Sequence, residues 1–190
     1  MSDSVDLTNH FLIAMPGMIE GDLAGTVIYM CEHSDRGALG LVINRPIDMT
    51  LSNLLQRVDL PAENSADETS DEVPVYFGGP VQTDRGFVLH RPHGQYSSSI
   101  HLENELALTT SRDVLQDVAA GQGPEQLFVT LGYAGWGAGQ LEQELAQNAW
   151  LSVPADEAII FDTPVDVRYP AAMRLLGIDP AMLAGSAGHA

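Results

Sequence analysis

Eight arginines, six histidines and one cysteine are the side chains with which this 190-residue chain could bind anions, move protons or attack a carbonyl. It contains no lysine, which excludes Schiff-base chemistry and the phosphate-binding pattern G-x-x-x-x-G-K-[ST]. The histidines stand at 10, 33, 90, 93, 101 and 189, and only His90 and His93 are spaced like ligands. With no H-E-x-x-H, no paired cysteines and no G-x-S-x-G, the residues assign no enzyme class, no catalytic position and no metal. Cys31 lies inside the apolar run TVIYMCE, which predicts a core thiol and not a nucleophile.

Three stretches could still hold a ligand. In LGYAGWGAGQLEQEL, from Leu131 to Leu145, four glycines and Trp136 join an apolar run to a helical pattern. Free amides at such a helix start can bind an anion, and Asp162 would close the following strand as the acid of a dinucleotide site does. The G-x-G-x-x-G fingerprint fails, because position 140 is glutamine. The expectation is therefore a tight strand-to-helix turn with glycines at positive φ packed around Trp136, with a ligand or partner surface as the alternative. GLVINRP and GFVLHRP end alike, in Asn44-Arg45-Pro46 and His90-Arg91-Pro92. Each proline ends ladder donation and holds its arginine extended, so Arg45 and Arg91 could clamp a carboxylate or phosphate or could pair with the chain's own acids. FGGPVQTDRG reads as a broad connection between strands, and its Asp-Arg-Gly, like the one at 35–37, reads as a turn. The leading expectation is a non-enzymatic regulatory or interaction domain; the alternative, a small-molecule or anion binder or an undiscovered hydrolase, is expected to use Asn44, Arg45, Gly78, Gly79, His90, Arg91, Gly135, Trp136 and Gly137.

The elements that must position these residues follow from spacing. Runs rich in β-branched and aromatic residues predict strands near 11–15, 26–31, 38–43, 75–77, 86–90, 100–102, 106–109, 127–131 and 158–161. Leu51, Leu54, Leu55 and Val58 after Thr50 predict a helix, and TSRDVLQDVAAG predicts another, with Thr110 and Asp113 as a capping box and Gly121 as its stop. Leu141, Leu145 and Ala149 mark a third, and Pro170 and Pro180 sit as first-turn prolines of two short C-terminal helices. Without strict βα alternation the class is α+β, in one domain over 1–190. The segment from Pro61 to Val73 carries five acids and no base and is expected to be a mobile loop, and both termini are expected to fray.

Twenty-six acids against eight bases give a formal net charge of −18. Nucleic-acid affinity comes largely from Lys and Arg displacing counterions, so no direct nucleic-acid binding is expected. No apolar run reaches the 18 or so residues of a membrane span, and a single cysteine suits a reducing compartment, so a cytoplasmic location is expected. No cofactor is implied. An unidentified protein partner or a small ligand is the expected counterpart.

Five blocks, NHFLIAMPGM, GALGLVINRP, VYFGGPVQTDRGFVLH, LGYAGWGAGQLEQELAQNAWL and LGIDPAML, together resemble the YqgE/AlgH family of bacterial proteins, from about Asn9 to Leu183. The resemblance implies an α+β domain with a branched mixed sheet, part of it barrel-like, surrounded by helices. It carries a label of regulating alginate production and no enzymatic activity or ligand, so no catalytic residues are carried over. No helix-turn-helix with a basic recognition face is visible, so regulation through a partner or ligand is expected in place of direct DNA reading.

Overall fold

The computed structural model describes residues 6–60 and 73–177. The acidic segment, except Val73, and the expected helix at Pro180 and frayed tail lie outside them. Ten strands and five helices are found among the described residues: β1 (His10–Ala14), β2 (Val27–Ser34), β3 (Gly37–Val42), β4 (Pro46–Thr50), α1 (Leu51–Arg57), β5 (Pro74–Phe77), β6 (Val81–Arg91), β7 (Ser99–His101), β8 (Ala107–Thr109), α2 (Arg112–Ala119), β9 (Gln126–Gly137), α3 (Gln140–Ala146), β10 (Trp150–Pro154), α4 (Glu157–Phe161) and α5 (Arg168–Leu175). They form two compact units, one from residues 6–44 and 134–177, the other from 45–60 and 73–133.

In the first unit the strand order is β10-β1-β2-β3-β9, antiparallel throughout, with β9 contributing 134–137. Alternate residues Leu12, Ile28, Met30 and Val42 point into a core with Trp136, Trp150 and Leu141 of α3. Arg168, the first residue of α5, is buried and donates from Nη1 to Ile43 O at 2.6 Å and from Nε to Thr163 O at 2.9 Å. Its charge serves backbone carbonyls, a role that an isolated arginine in sequence does not reveal.

In the second unit β9 contributes 126–133, antiparallel to β6 and parallel to β5; β8 and β7 extend the sheet beyond β6, and β4 pairs β5. β9 is thus the branch strand, and the class is α+β with a branched mixed sheet. α1 begins as expected: Thr50 accepts from Asn53 N–H and Asn53 accepts from Thr50 N–H, a reciprocal cap. Its buried Leu51, Leu54 and Leu55 pack with Val75, Val88, Val114 and Val129. Each such leucine contributes roughly 1.5–3 kcal/mol by leaving water. No helix among the described residues is long and apolar enough to cross a membrane.

Four local expectations are corrected. Residues 158–161 form a helix and not a strand: Asp156 caps it by accepting from Ala158 N–H at 3.0 Å, and a cap outweighs the β-preference of two isoleucines in so short a run. Asp162 therefore ends a helix and has no dinucleotide-type strand beside it. The N-cap of α2 is Ser111, one residue after Thr110, with Asp113 accepting from both Ser111 Oγ and Val114 N–H. Residues 84–86 lie within β6, where Val81 pairs with Tyr133 and Gly86 with Leu131, so β6 bulges between these pairs. β10 was not expected, because Trp150–Pro154 has no β-branched run and ends in proline.

Candidate functional site

In the first unit the glycine-rich stretch is strand before it is turn. β9 runs to Gly137 because β3 pairs with it: Leu39 faces Gly135, Ala38 faces Trp136 and Gly37 faces Gly137. Positive φ occurs at Gly132 and at Gly139, the N-cap of α3, and neither Gly135 nor Gly137 has it, so the expected strand-to-helix turn is present but confined to 138–139. Trp136 is 6 % exposed. Its Nε1–H donates to Glu144 Oε1 at 3.0 Å, and Trp150 Nε1–H donates to the same oxygen at 2.8 Å. The two rings meet edge to face at 6.0 Å. Gln140 completes the clasp, donating to Glu144 Oε2 at 3.2 Å and accepting from Gly137 N–H at 3.0 Å. The amide that an anion would have used is thereby occupied. Asn44 is similarly committed: Oδ1 accepts from Val27 N–H at 2.9 Å and Nδ2 donates to Gly25 O at 3.0 Å.

In the second unit Gly78 and Gly79 are buried beneath β9. A Cβ at Gly78 would fall 2.3 Å from Gly132 O, and one at Gly132 would fall 2.3 Å from Gly79 O. These glycines let two backbones approach at a distance no side chain permits. Arg45 O accepts from Phe77 N–H at 2.7 Å, and Arg91 donates from Nε to Gln126 Oε1 at 3.0 Å.

His90 is fully buried and its tautomer is fixed by geometry. Nδ1–H donates to Pro92 O at 2.9 Å, because a carbonyl can only accept, and in the neutral ring that burial favours Nε2 accepts from the Thr109 hydroxyl at 2.7 Å. With its own proton so used, Thr109 Oγ1 accepts from Ser99 Oγ at 2.6 Å. The result is a chain Ser99–Thr109–His90, with the Tyr96 ring perpendicular to the imidazole at a centroid distance of 5.3 Å. Burial depresses the His90 pKa below 6.5, the bond to Pro92 O opposes the shift, and the charges of His93 and His101 add to it. Tyr96 is pushed up to about 12 by burial and by Asp117, which accepts from its hydroxyl at 3.0 Å.

A pH dependence follows. Between the lowered folded value and 6.5 the unfolded chain binds a proton that the folded chain does not. The stabilisation from neutral His90 is complete above about pH 6.5 and declines as pH falls through this window. An NMR titration of the His90 ring should give a midpoint below 6.5, and a midpoint at or above that value would show the imidazole to be solvated.

One open cleft among the described residues was not legible in the sequence. It encloses about 470 Å³ between the end of α1, the β6 bulge and the β8–α2 junction. Buried Val88 and Leu115, with half-buried Val58, line its inner part. Asp59, Asp84, Arg85 and Arg112 are its exposed charges. Thr109 reaches it from the buried chain described above.

A family model described as AlgH-like matches residues 11–181. A UPF0301 protein of Bordetella avium is 71 % identical over 185 residues, covering 97 % of this chain and 92 % of its own. A UPF0301 protein of Ralstonia nicotianae is 59 % identical over 186 residues, covering 98 % and 96 %. Among solved structures, that of the AlgH protein from Pseudomonas aeruginosa superposes with a TM-score of 0.80 at 49 % identity, over 97 % of this chain and 96 % of that one. A protein from Corynebacterium diphtheriae shares the fold alone, with a TM-score of 0.68 at 20 % identity over 92 % and 89 % of the two chains.

Proposed function

The chain belongs to the AlgH-like family, and on that premise we propose that it is a non-enzymatic, cytoplasmic interaction domain that serves regulation by holding a partner or small ligand and not by reading DNA. The observation that supports this most is the state of His90. A general base needs a lone pair within reach of the nucleophile, directly or through one water. The Nε2 lone pair of His90 is committed to a buried threonine hydroxyl, and Ser99 reaches it only through that hydroxyl. The chain of hydroxyls ties β6, β8 and β7 together, and Thr109, whose hydroxyl the imidazole holds directly, is itself fully buried although it lies behind the cleft.

The charge balance supports the second half of the proposal. Several arginines serve neutral groups: Arg168 donates to backbone carbonyls, Arg112 to Val58 O, Arg91 to Gln126 and Arg85 to Gln82. With a net charge of −18 and no lysine, the field around the protein repels a polyanion. Fluorescence anisotropy with a labelled duplex at physiological salt should show no binding. Salt-sensitive binding at micromolar concentration or tighter would overturn this reading.

A further inference from the structure

A second buried histidine, on β2 of the first unit, is wired differently from His90. The His33 side chain is 4 % exposed, and both of its ring nitrogens are engaged. Leu7 N–H donates to Nδ1 at 3.0 Å, and Nε2 lies 2.6 Å from Glu142 Oε1 on α3. An amide N–H can only donate, so Nδ1 carries a lone pair, the ring is neutral, and its proton, on Nε2, is donated to the Glu142 carboxylate. A neutral imidazole on a carboxylate stands one proton away from an ion pair. That proton can enter only at Nδ1, the atom on which the Leu7 amide rests.

The bond at Nδ1 matters to the backbone ahead of β1. Asn9 is fixed there: its N–H donates to Met30 O at 2.8 Å, its carbonyl accepts from Ala155 N–H at 2.9 Å, and the chain turns at its φ of 65°. Residues 6–8 make local bonds among themselves and to His10, and among the described residues Leu7 N–H on His33 is the hydrogen bond that ties them to another element. The Leu7 side chain is 3 % exposed, in the core that holds Leu12, Met30, Trp136 and Leu141. A proton on Nδ1 would set N–H against N–H across 3.0 Å, so the amide must leave. The imidazolium keeps Glu142 through a bond that is now charged on both sides. Asp6, on the released segment, is held below its ordinary carboxylate pKa by hydrogen bonds from Thr8 and, more weakly, by the charges of His33 and His10. Of the other elements beside His33, β3 and residues 134–137 of β9 carry no titratable group, and Glu144 of α3 accepts from the two indoles. Glu32, Asp35 and Arg36 of β2 and its turn are exposed. Two carboxylates thus favour the charged ring and the Leu7 amide favours the neutral one, so each state has partners of its own. We infer that His33 is a proton-operated latch: neutral, it holds residues 6–8 and the Leu7 side chain against the first unit; protonated, it stays with Glu142 and releases them about Asn9. The latch goes beyond the binding reading and does not depend on it.

The test is an NMR titration of the full chain, isotopically labelled, from about pH 8 to about pH 5, the range in which imidazoles change charge. At the upper end the His33 ring should show a proton on Nε2 and none on Nδ1. As the ring titrates, the Leu7 amide shift should follow with the same midpoint. The hydrogen-exchange protection of Leu7, corrected for the intrinsic effect of pH, should fall about tenfold or more while that of Asn9 holds. In His33→Gln the Leu7 amide should show no titration in this range. Glu142→Gln, at a side chain 44 % exposed, should keep the fold and move the release to lower pH, because the carboxylate that favours the imidazolium is gone. Leu7 protection that survives protonation of His33, a ring that stays neutral down to about pH 5, or a release unchanged in either variant would overturn the latch.

Discussion

Trp136→Ala should lower the unfolding free energy by about 3–5 kcal/mol, the range for truncating a buried aromatic. For a chain of this size that is a fall in melting temperature on the order of 10 °C. Two losses combine. The indole is 6 % exposed and packs edge to face on Trp150, so its removal leaves a cavity in the core of the first unit. It also takes away one of the two N–H donors on Glu144 Oε1. Trp136→Phe separates the two, since it keeps most of the apolar volume and loses the donor, and it should cost less than the alanine variant. A melting temperature unchanged in Trp136→Ala would show that the ring is exposed in solution and would favour the ligand reading of the glycine-rich stretch.

Gly132→Ala should be the most disruptive single-methyl addition in the second unit. Residue 132 has φ +80°, a conformation that costs a side-chain-bearing residue roughly 1–2 kcal/mol. The new Cβ would also meet Gly79 O at 2.3 Å and Val81 O at 3.1 Å, backbone atoms that cannot rotate away. Overpacking of this kind typically costs about 1–3 kcal/mol more. The expected total is about 3 kcal/mol, read by chemical denaturation. Gly137→Ala is the control on the same strand: its Cβ would meet nothing closer than Gln140 Oε1 at 4.0 Å, and its φ is not positive, so its cost should stay below about 1 kcal/mol. Equal costs at 132 and 137 would mean that glycine serves strand flexibility generally and not the close approach of 78–79 to 132.

The contrast between these glycines marks where the sequence was readable. The cores of β1, β2, β3 and β5 announce themselves as β-branched and aromatic runs, and α1 declares both its apolar face and its Thr50 cap, because these signals are local. β9 was cut short at Leu131 because glycine reads as a breaker in a single strand, whereas here its partners on β3 hold it extended. Residues 158–161 misled because β-propensity describes packing on a sheet face, and Asp156 had already committed the backbone to a helical turn. The cleft was invisible for another reason. It draws on 58–59, 84–88 and 109–115, three segments with no common motif, and its Arg85 stands in an Asp-Arg-Gly that reads as a turn. His90 was singled out as a candidate ligand residue, but its partner Thr109 lies 19 positions away across a strand pair that only the fold supplies.

On the proposed reading the Ser99–Thr109–His90 chain is architecture and the protein binds without turning over a substrate. Intact-mass spectrometry after exposure to an excess of a fluorophosphonate, which modifies serines activated by a neighbouring base, tests this directly. The expected result is a chain of unmodified mass, with Ser99 intact in the peptide map. A stoichiometric adduct on Ser99 that is abolished in a folded His90→Gln variant would contradict the account and make the chain a hydrolase.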